Sequence, residues 1–131
     1  MSDVTPIVYV VDDDISVREG LEGLIHKTGW RALVFSSAEE FLRFDRRDDA
    51  SCLITDVTLG GMSGIDLQKH LVESSNGIPV IVTTAFPTDR MREQALKAGA
   101  ICFLVKPVSK EELLTCIGLA LDLRPDLAEP S

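Results

Sequence analysis

The sequence predicts an α/β fold: one five-stranded parallel sheet with helices on both faces. Three observations point there. Five short apolar runs recur along the chain, helix-like segments separate them, and acids, a threonine or a lysine stand just beyond several of the runs. The runs are rich in Val and Ile and lack polar alternation, which is how strands covered on both faces read. Parallel strands need crossover connections, and helices of this length supply them. The order 2-1-3-4-5 is the common arrangement for five such strands, and we adopt it as an expectation.

The elements follow in turn. "IVYVV" (7–11) is the first strand. Val17, Leu21, Leu24, Ile25 and Thr28 then share one face at helical spacing, with Ser16-x-x-Glu19 shaped like a capping box and Gly29 as a stop. Trp30, the only tryptophan, opens the second strand, "ALVF" (32–35), as a packing residue. Ser37-x-x-Glu40 starts a second helix, and the mixed-charge run "FDRRDDA" (44–50) reads as a solvated helix end. "CLIT" (52–55) is the third strand; the helix after it stops at Asn76-Gly77. "VIVT" (80–83) is the fourth. Asp89, Arg90, Arg92, Glu93 and Lys97 cover the exposed side of the next helix, which Gly99 ends. "CFLV" (102–105) is the fifth strand, and Ser109-x-x-Glu112 caps a last helix. The tail "DLRPDLAEPS" (122–131) carries two prolines and reads as a frayed end or the start of a linker.

Composition narrows the function classes. A chain of 131 residues with 45% hydrophobic residues is one compact domain with a real core. No apolar run approaches the roughly 20 residues of a membrane helix, and "MSDVTP" has no signal-peptide pattern, so no membrane association is expected. A formal net charge of −8 repels phosphate backbones and disfavours direct nucleic-acid binding by this segment. Cys52, Cys102 and Cys116 lie in separate apolar segments and read as buried free thiols, which fits a reducing cytoplasm. His26 and His70 fall in helices away from the acids and read as surface or packing residues.

In an open parallel sheet, ligands bind beyond the carboxyl ends of the strands, where the strand order reverses. Asp12 and Asp13 end strand 1, Asp56 ends strand 3, Thr84 ends strand 4 and Lys106 ends strand 5. All would meet at one edge. Two unit charges about 4 Å apart repel by roughly 4 kcal/mol at an effective dielectric near 20, so converging carboxylates share a proton or hold a cation. Oxygen ligands with no nearby His or Cys favour Mg²⁺. Asp14 reads as a cap of the first helix, where negative charge is favourable. Lys106 and the Thr84 hydroxyl beside a metal would cradle a phosphoryl group, and a carboxylate of the chain itself would serve as nucleophile.

Several motifs then fall into a known pattern. "VDDD" (11–14), "DVTLGGMSG" (56–64), "TTA" (83–85) and "FLVKP" (103–107) resemble the receiver domains of bacterial two-component response regulators, from about residue 5 to 122. "SSAEEFL" (36–42) and "GMSGIDLQ" (61–68) look most like FixJ-type receivers, which usually precede a LuxR-type helix-turn-helix domain. The resemblance implies a flavodoxin-like, CheY-like fold, with the receiver at 1–122 and a tail or linker start at 123–131. It implies that Asp56 accepts a phosphoryl group from a sensor histidine kinase. Asp13 would bind Mg²⁺ directly, with Asp12 helping and the Thr58 carbonyl as a third protein ligand. Thr84 and Lys106 would contact the phosphoryl oxygens, Phe103 would be the aromatic switch, and Lys106-Pro107 would be cis. Phosphorylation would turn Thr84 toward the new group and let Phe103 rotate inward. The face of helix 4, strand 5 and helix 5 would then bind a partner or a second copy. Ala85 suits this, since a small side chain leaves the phosphoryl group accessible. The chain would be a signalling switch rather than an enzyme, acting only on its own aspartate. One departure stands out: Gly60 replaces the family's usual proline, which predicts a more mobile loop.

Rival readings stay open at this point. A stand-alone receiver would act by docking, without an output domain. A haloacid-dehalogenase-type phosphatase would use Asp12 as nucleophile, with Asp14, Thr84 and Lys106 in support. It would want an acidic pair after the lysine strand, whereas Glu111 and Glu112 fall inside helix 5. A flavodoxin-like flavin binder would have to place FMN phosphate against three acids.

Overall fold

The computed structural model describes residues 5–44, 52–74 and 77–122. Most of the 44–50 charge run and of the 122–131 tail lies outside them, so the readings of those segments are not reached. Five strands and five helices alternate: β1 (Ile7–Val11), α1 (Ile15–Lys27), β2 (Arg31–Phe35), α2 (Ala38–Arg43), β3 (Cys52–Asp56), α3 (Gly64–Glu73), β4 (Val80–Thr84), α4 (Asp89–Lys97), β5 (Cys102–Val105) and α5 (Lys110–Asp122). All pairings are parallel, in the order β2-β1-β3-β4-β5. β1 lies between β2 and β3, so the order reverses there.

The strands are buried on both faces because each face meets a different helical layer. Tyr9, Val11, Leu53, Val82 and Phe103 point into one cluster, with Phe41 of α2, Leu67 and Leu71 of α3 and Ala95 of α4. Val8, Val10, Ile54, Ile81 and Leu104 point into the other, with Ile25 of α1 and Leu113 and Ile117 of α5. Successive strand residues face opposite ways, so an unbroken apolar run feeds two cores at once. Tyr9 meets Phe35 and Phe41 edge to face, with centroids 5.7 and 5.5 Å apart, a favoured aromatic geometry. Trp30 packs against the second cluster as expected.

The helix boundaries follow local chemistry, with one correction. Ser16 does not cap α1. Asp14 does, its carboxylate accepting from the amides of Ser16 (2.8 Å) and Val17 (3.4 Å). The aspartate sits two residues earlier, at the N-cap position, and reaches the free amides first. Ser37 caps α2 as expected, while Glu40 reaches back to the Ser36 amide. Ser109 accepts from the Glu112 amide at the start of α5. Gly29 and Gly99 follow the caps of α1 and α4 with positive φ, the left-handed stop that favours glycine; Gly77 also has positive φ but lies three residues beyond Ser74, the cap of α3.

A second correction concerns the cysteines. Cys102 of β5 and Cys116 of α5 are joined as a disulfide, with Cα atoms 6.4 Å apart; only Cys52 remains a free, buried thiol. Separation of 14 residues in sequence hid the pair, because α5 folds back over the sheet face onto which Cys102 points. With the pairing, the cysteine argument for a reducing compartment falls. Among the described residues, no helix is long and apolar enough to cross a membrane.

Candidate phosphoacceptor site

The strand ends deliver the site. Asp12 follows β1 and is anchored by its own amide, which donates to the Phe35 carbonyl (3.1 Å). Asp56 closes β3 in register with Thr83, and the Val57 amide carries the pairing one residue further, to the Thr83 carbonyl (2.9 Å). The Lys106 amide bonds the Thr84 carbonyl (2.8 Å), fixing the exit of β5 against that of β4. The Lys106-Pro107 bond is cis.

At this edge the Lys106 ammonium bridges two buried carboxylates, 2.8 Å from Asp12 Oδ2 and 2.9 Å from Asp56 Oδ2. The other oxygens are also engaged. Asp12 Oδ1 accepts from the Asp14 amide (2.9 Å), and Asp56 Oδ1 from the Thr58 amide (3.2 Å). Burial pushes the Asp56 carboxyl above the ordinary carboxylate range; the Lys106 hydrogen bond and charge oppose this, while the charge of Asp12 adds to it. Burial pulls the Lys106 ammonium down, but its bonds to Asp12 and Asp56 and their charges outweigh that and hold it above the usual lysine value.

Asp13 is exposed, yet it offers an oxygen within 4.8 Å of one from each of Asp12 and Asp56. The donor set is all hard carboxylate oxygen, two buried acids and one open to water, and one lysine does not neutralise three acids. These residues fit a small divalent cation that keeps several waters. Thr58, whose carbonyl is the expected further ligand, is exposed in the loop after β3. Thr84 is buried, its Oγ1 accepting from the Phe86 amide (3.2 Å), and Ala85 is exposed beside it.

Asp12, Asp13, Asp56 and Lys106 thus meet at one edge, while Phe103 differs from expectation. Phe103 is already buried in this state, in the core cluster on the α2, α3 and α4 face of the sheet, with the Arg92 guanidinium of α4 4.9 Å above its ring. The ring thus already faces the core, where the inward position was expected only after phosphorylation. Cation–π stacking and apolar contact both favour the ring inside.

Reading the sequence assigns no role to Arg18, Gly64 or Glu39. Arg18 Nη1 donates to the Asp12 carbonyl (2.8 Å), tying α1 to the acidic loop; an arginine one turn into a helix carries no sequence signal of this. A Cβ on Gly64 would run into the Asp56 carbonyl, so α3 can start that close to Asp56 only with glycine there. Glu39 Oε2 accepts from the Met62 amide (2.9 Å) across 23 residues of sequence. His26 and His70 are exposed, as expected, and Glu111 and Glu112 lie in the exposed first turn of α5.

A doubly wound parallel sheet with an acidic pocket and one lysine at its switch point is the arrangement expected of a receiver domain. The chain belongs to the response regulator receiver domain family, which matches residues 8–118. It is 42% identical over 125 residues to the response regulator protein TodT of Pseudomonas putida, covering 95% of this chain and 55% of TodT. It is 36% identical over 122 residues to the transcriptional regulatory protein TdiR of Thauera aromatica, covering 93% and 54%. Among solved structures, response regulator StyR matches with 44% identity and a TM-score of 0.85, covering 93% of this chain and 62% of that one. FixJ-N matches with 33% identity and a TM-score of 0.81, covering 93% and 96%. The chain spans about half the length of the curated relatives it matches.

Proposed function

We propose that this chain is the receiver module of a phosphorelay, accepting a phosphoryl group on Asp56 from a phosphohistidine of a sensor histidine kinase in the cytoplasm. The observation that carries the reading is the Lys106 ammonium held between Asp12 and Asp56, with Asp13 close enough to complete a cation site. Asp12, Asp13, Asp56 and the Thr58 carbonyl would hold Mg²⁺, which neutralises charge between the carboxylates and the incoming phosphoryl oxygens. An oxygen of Asp56 attacks phosphorus; the P–N bond breaks, its electron pair stays on the histidine nitrogen, and an acyl phosphate forms. Lys106 is placed to exchange its contact with Asp56 Oδ2 for a phosphoryl oxygen. Beside it, an apolar groove of about 530 Å³ between α1 and α5, lined by Val17, Leu21, Val108 and Leu113, offers the kinase a docking surface.

The switch begins at Thr84. Its hydroxyl leaves the Phe86 amide for the phosphoryl group, which frees the loop carrying the exposed Phe86. With Phe103 already inside, the response would fall on that loop and on Arg92 rather than on the ring. Exposed Leu96 of α4 and Val105 of β5 give the α4-β5-α5 face apolar area for a second copy or a partner. The relatives TdiR and FixJ are transcriptional regulatory proteins, which supports a role in transcription through an output domain beyond this segment.

The test is phosphotransfer to the parent and to Asp56→Asn, with and without Mg²⁺. We expect label on the parent only, and only with Mg²⁺; equal labelling of both would end the proposal. Label mapped to Asp12 would favour the phosphatase reading instead. The tighter burial of Asp12, 2% exposed against 7% for Asp56, counts against that outcome.

A further inference from the structure

The loop from Asp56 to Gly64 carries two adjacent glycines, Gly60 and Gly61, where chain entropy works hardest against a fixed shape. Neither has a positive φ, so backbone conformation does not require glycine at either position. A Cβ on Gly60 would meet nothing within 4 Å. Gly61 is different. A Cβ there would lie 2.6 Å from Glu39 Oε2 and 3.1 Å from Glu39 Oε1. The same Oε2 accepts a hydrogen bond from the Met62 amide at 2.9 Å, across 23 residues of sequence. That amide holds the Glu39 carboxyl below its ordinary range, with the nearby Arg43 charge contributing.

We propose that Glu39 of α2 is a positioning residue for the phosphoacceptor loop, its carboxylate tethering the Met62 amide at the close approach that glycine at position 61 permits. The far end of the loop is fixed by Gly64, whose amide donates to the Val57 carbonyl (3.0 Å). Thr58 lies between Val57, held by that bond, and Met62, held by Glu39, so the tether limits the arrangements open to the Thr58 carbonyl and to the Asp56 carboxylate bonded to the Thr58 amide. A side chain from another element thereby supplies the restraint that a proline at position 60 would supply from within the loop. The function of the tether rests on the receiver reading above; its existence does not.

Two measurements on the full chain decide it: hydrogen exchange of the Met62 amide in the unphosphorylated protein, and the initial rate of Asp56 phosphorylation by acetyl phosphate at fixed Mg²⁺. In Glu39→Ala we expect Met62 exchange to quicken about tenfold, as for a lost charge-assisted bond on a half-exposed loop, and phosphorylation to slow several-fold. Glu39→Gln keeps a carbonyl acceptor and should restore most of both. Gly61→Ala should behave like Glu39→Ala, because its Cβ displaces the flexible carboxylate. The double variant should be no worse than either single one, since both remove one contact. Met62 exchange unchanged in Glu39→Ala overturns the tether. Faster exchange with an unchanged phosphorylation rate overturns the positioning role. A parent that takes no label on Asp56 defeats the receiver reading and the positioning role with it, and is told apart by that blank from a failure of the tether alone.

Discussion

Asp56 is held in a position that favours chemistry over stability. Its carboxyl titrates above the ordinary range because burial outweighs the help from Lys106. A carboxyl whose folded pKa lies above its unfolded one stabilises the fold in acid, and that contribution fades as pH rises through the folded value. Asn at this position carries no such charge. Relative to the parent, Asp56→Asn should therefore gain thermal stability between pH 4 and pH 7.5, read from melting curves at the two pH values. An identical difference at both would contradict the assignment. Gly64 sets the opposite kind of constraint. Gly64→Ala forces backbone, rather than a flexible side chain, to move away from Asp56, so we expect a loss of about 3 kcal/mol in denaturant unfolding together with impaired phosphorylation.

Single elements owe their limits to a few groups. α1 begins at Asp14, and Asp14→Ala should cost about 1 kcal/mol of stability by chemical denaturation while leaving Asp56 phosphorylation intact. At the other end of the chain, the Cys102–Cys116 bond ties the edge strand β5 to α5 and closes a loop of 14 residues. In the chain-entropy account such a loop is worth about 3 kcal/mol. Thiol titration of the oxidised, unfolded protein should find one reactive group, Cys52, and reduction should lower stability by that order. Three reactive thiols before any reductant is added would show that the bond does not form. Cys52 itself is inert in the fold: full burial raises its thiol pKa, leaving almost no thiolate to react.

For the molecule as a whole, the two cores divide the labour. One face of the sheet packs α2, α3 and α4, the other α1 and α5. The acidic site sits at the strand ends between them, with Lys106 contacting acids that leave β1 and β3. A charge change there acts on strand exits common to both layers, which is how a local group can alter a distant face. If α4-β5-α5 is the responsive face, phosphorylated protein should self-associate more tightly than unphosphorylated protein in sedimentation velocity. Leu96→Glu should weaken that association tenfold or more without slowing phosphorylation, since Leu96 is exposed and lies outside the site. Equal association by phosphorylated parent and variant would move the contact elsewhere.

The residues alone determined the five strands, their bounds to within a residue, the glycine stops after α1 and α4 and the convergence of Asp12, Asp13, Asp56 and Lys106, because burial on both faces and parallel crossover leave few other placements. Tertiary structure decided the contacts that no local pattern encodes. Cys102 found Cys116, Glu39 reached Met62, Phe103 settled inside beneath Arg92, and Gly64 made room for the Asp56 carbonyl. Each of these depends on the distance between elements far apart in the chain, and hydrophobic periodicity fixes which face an element buries without fixing which side chain it meets there.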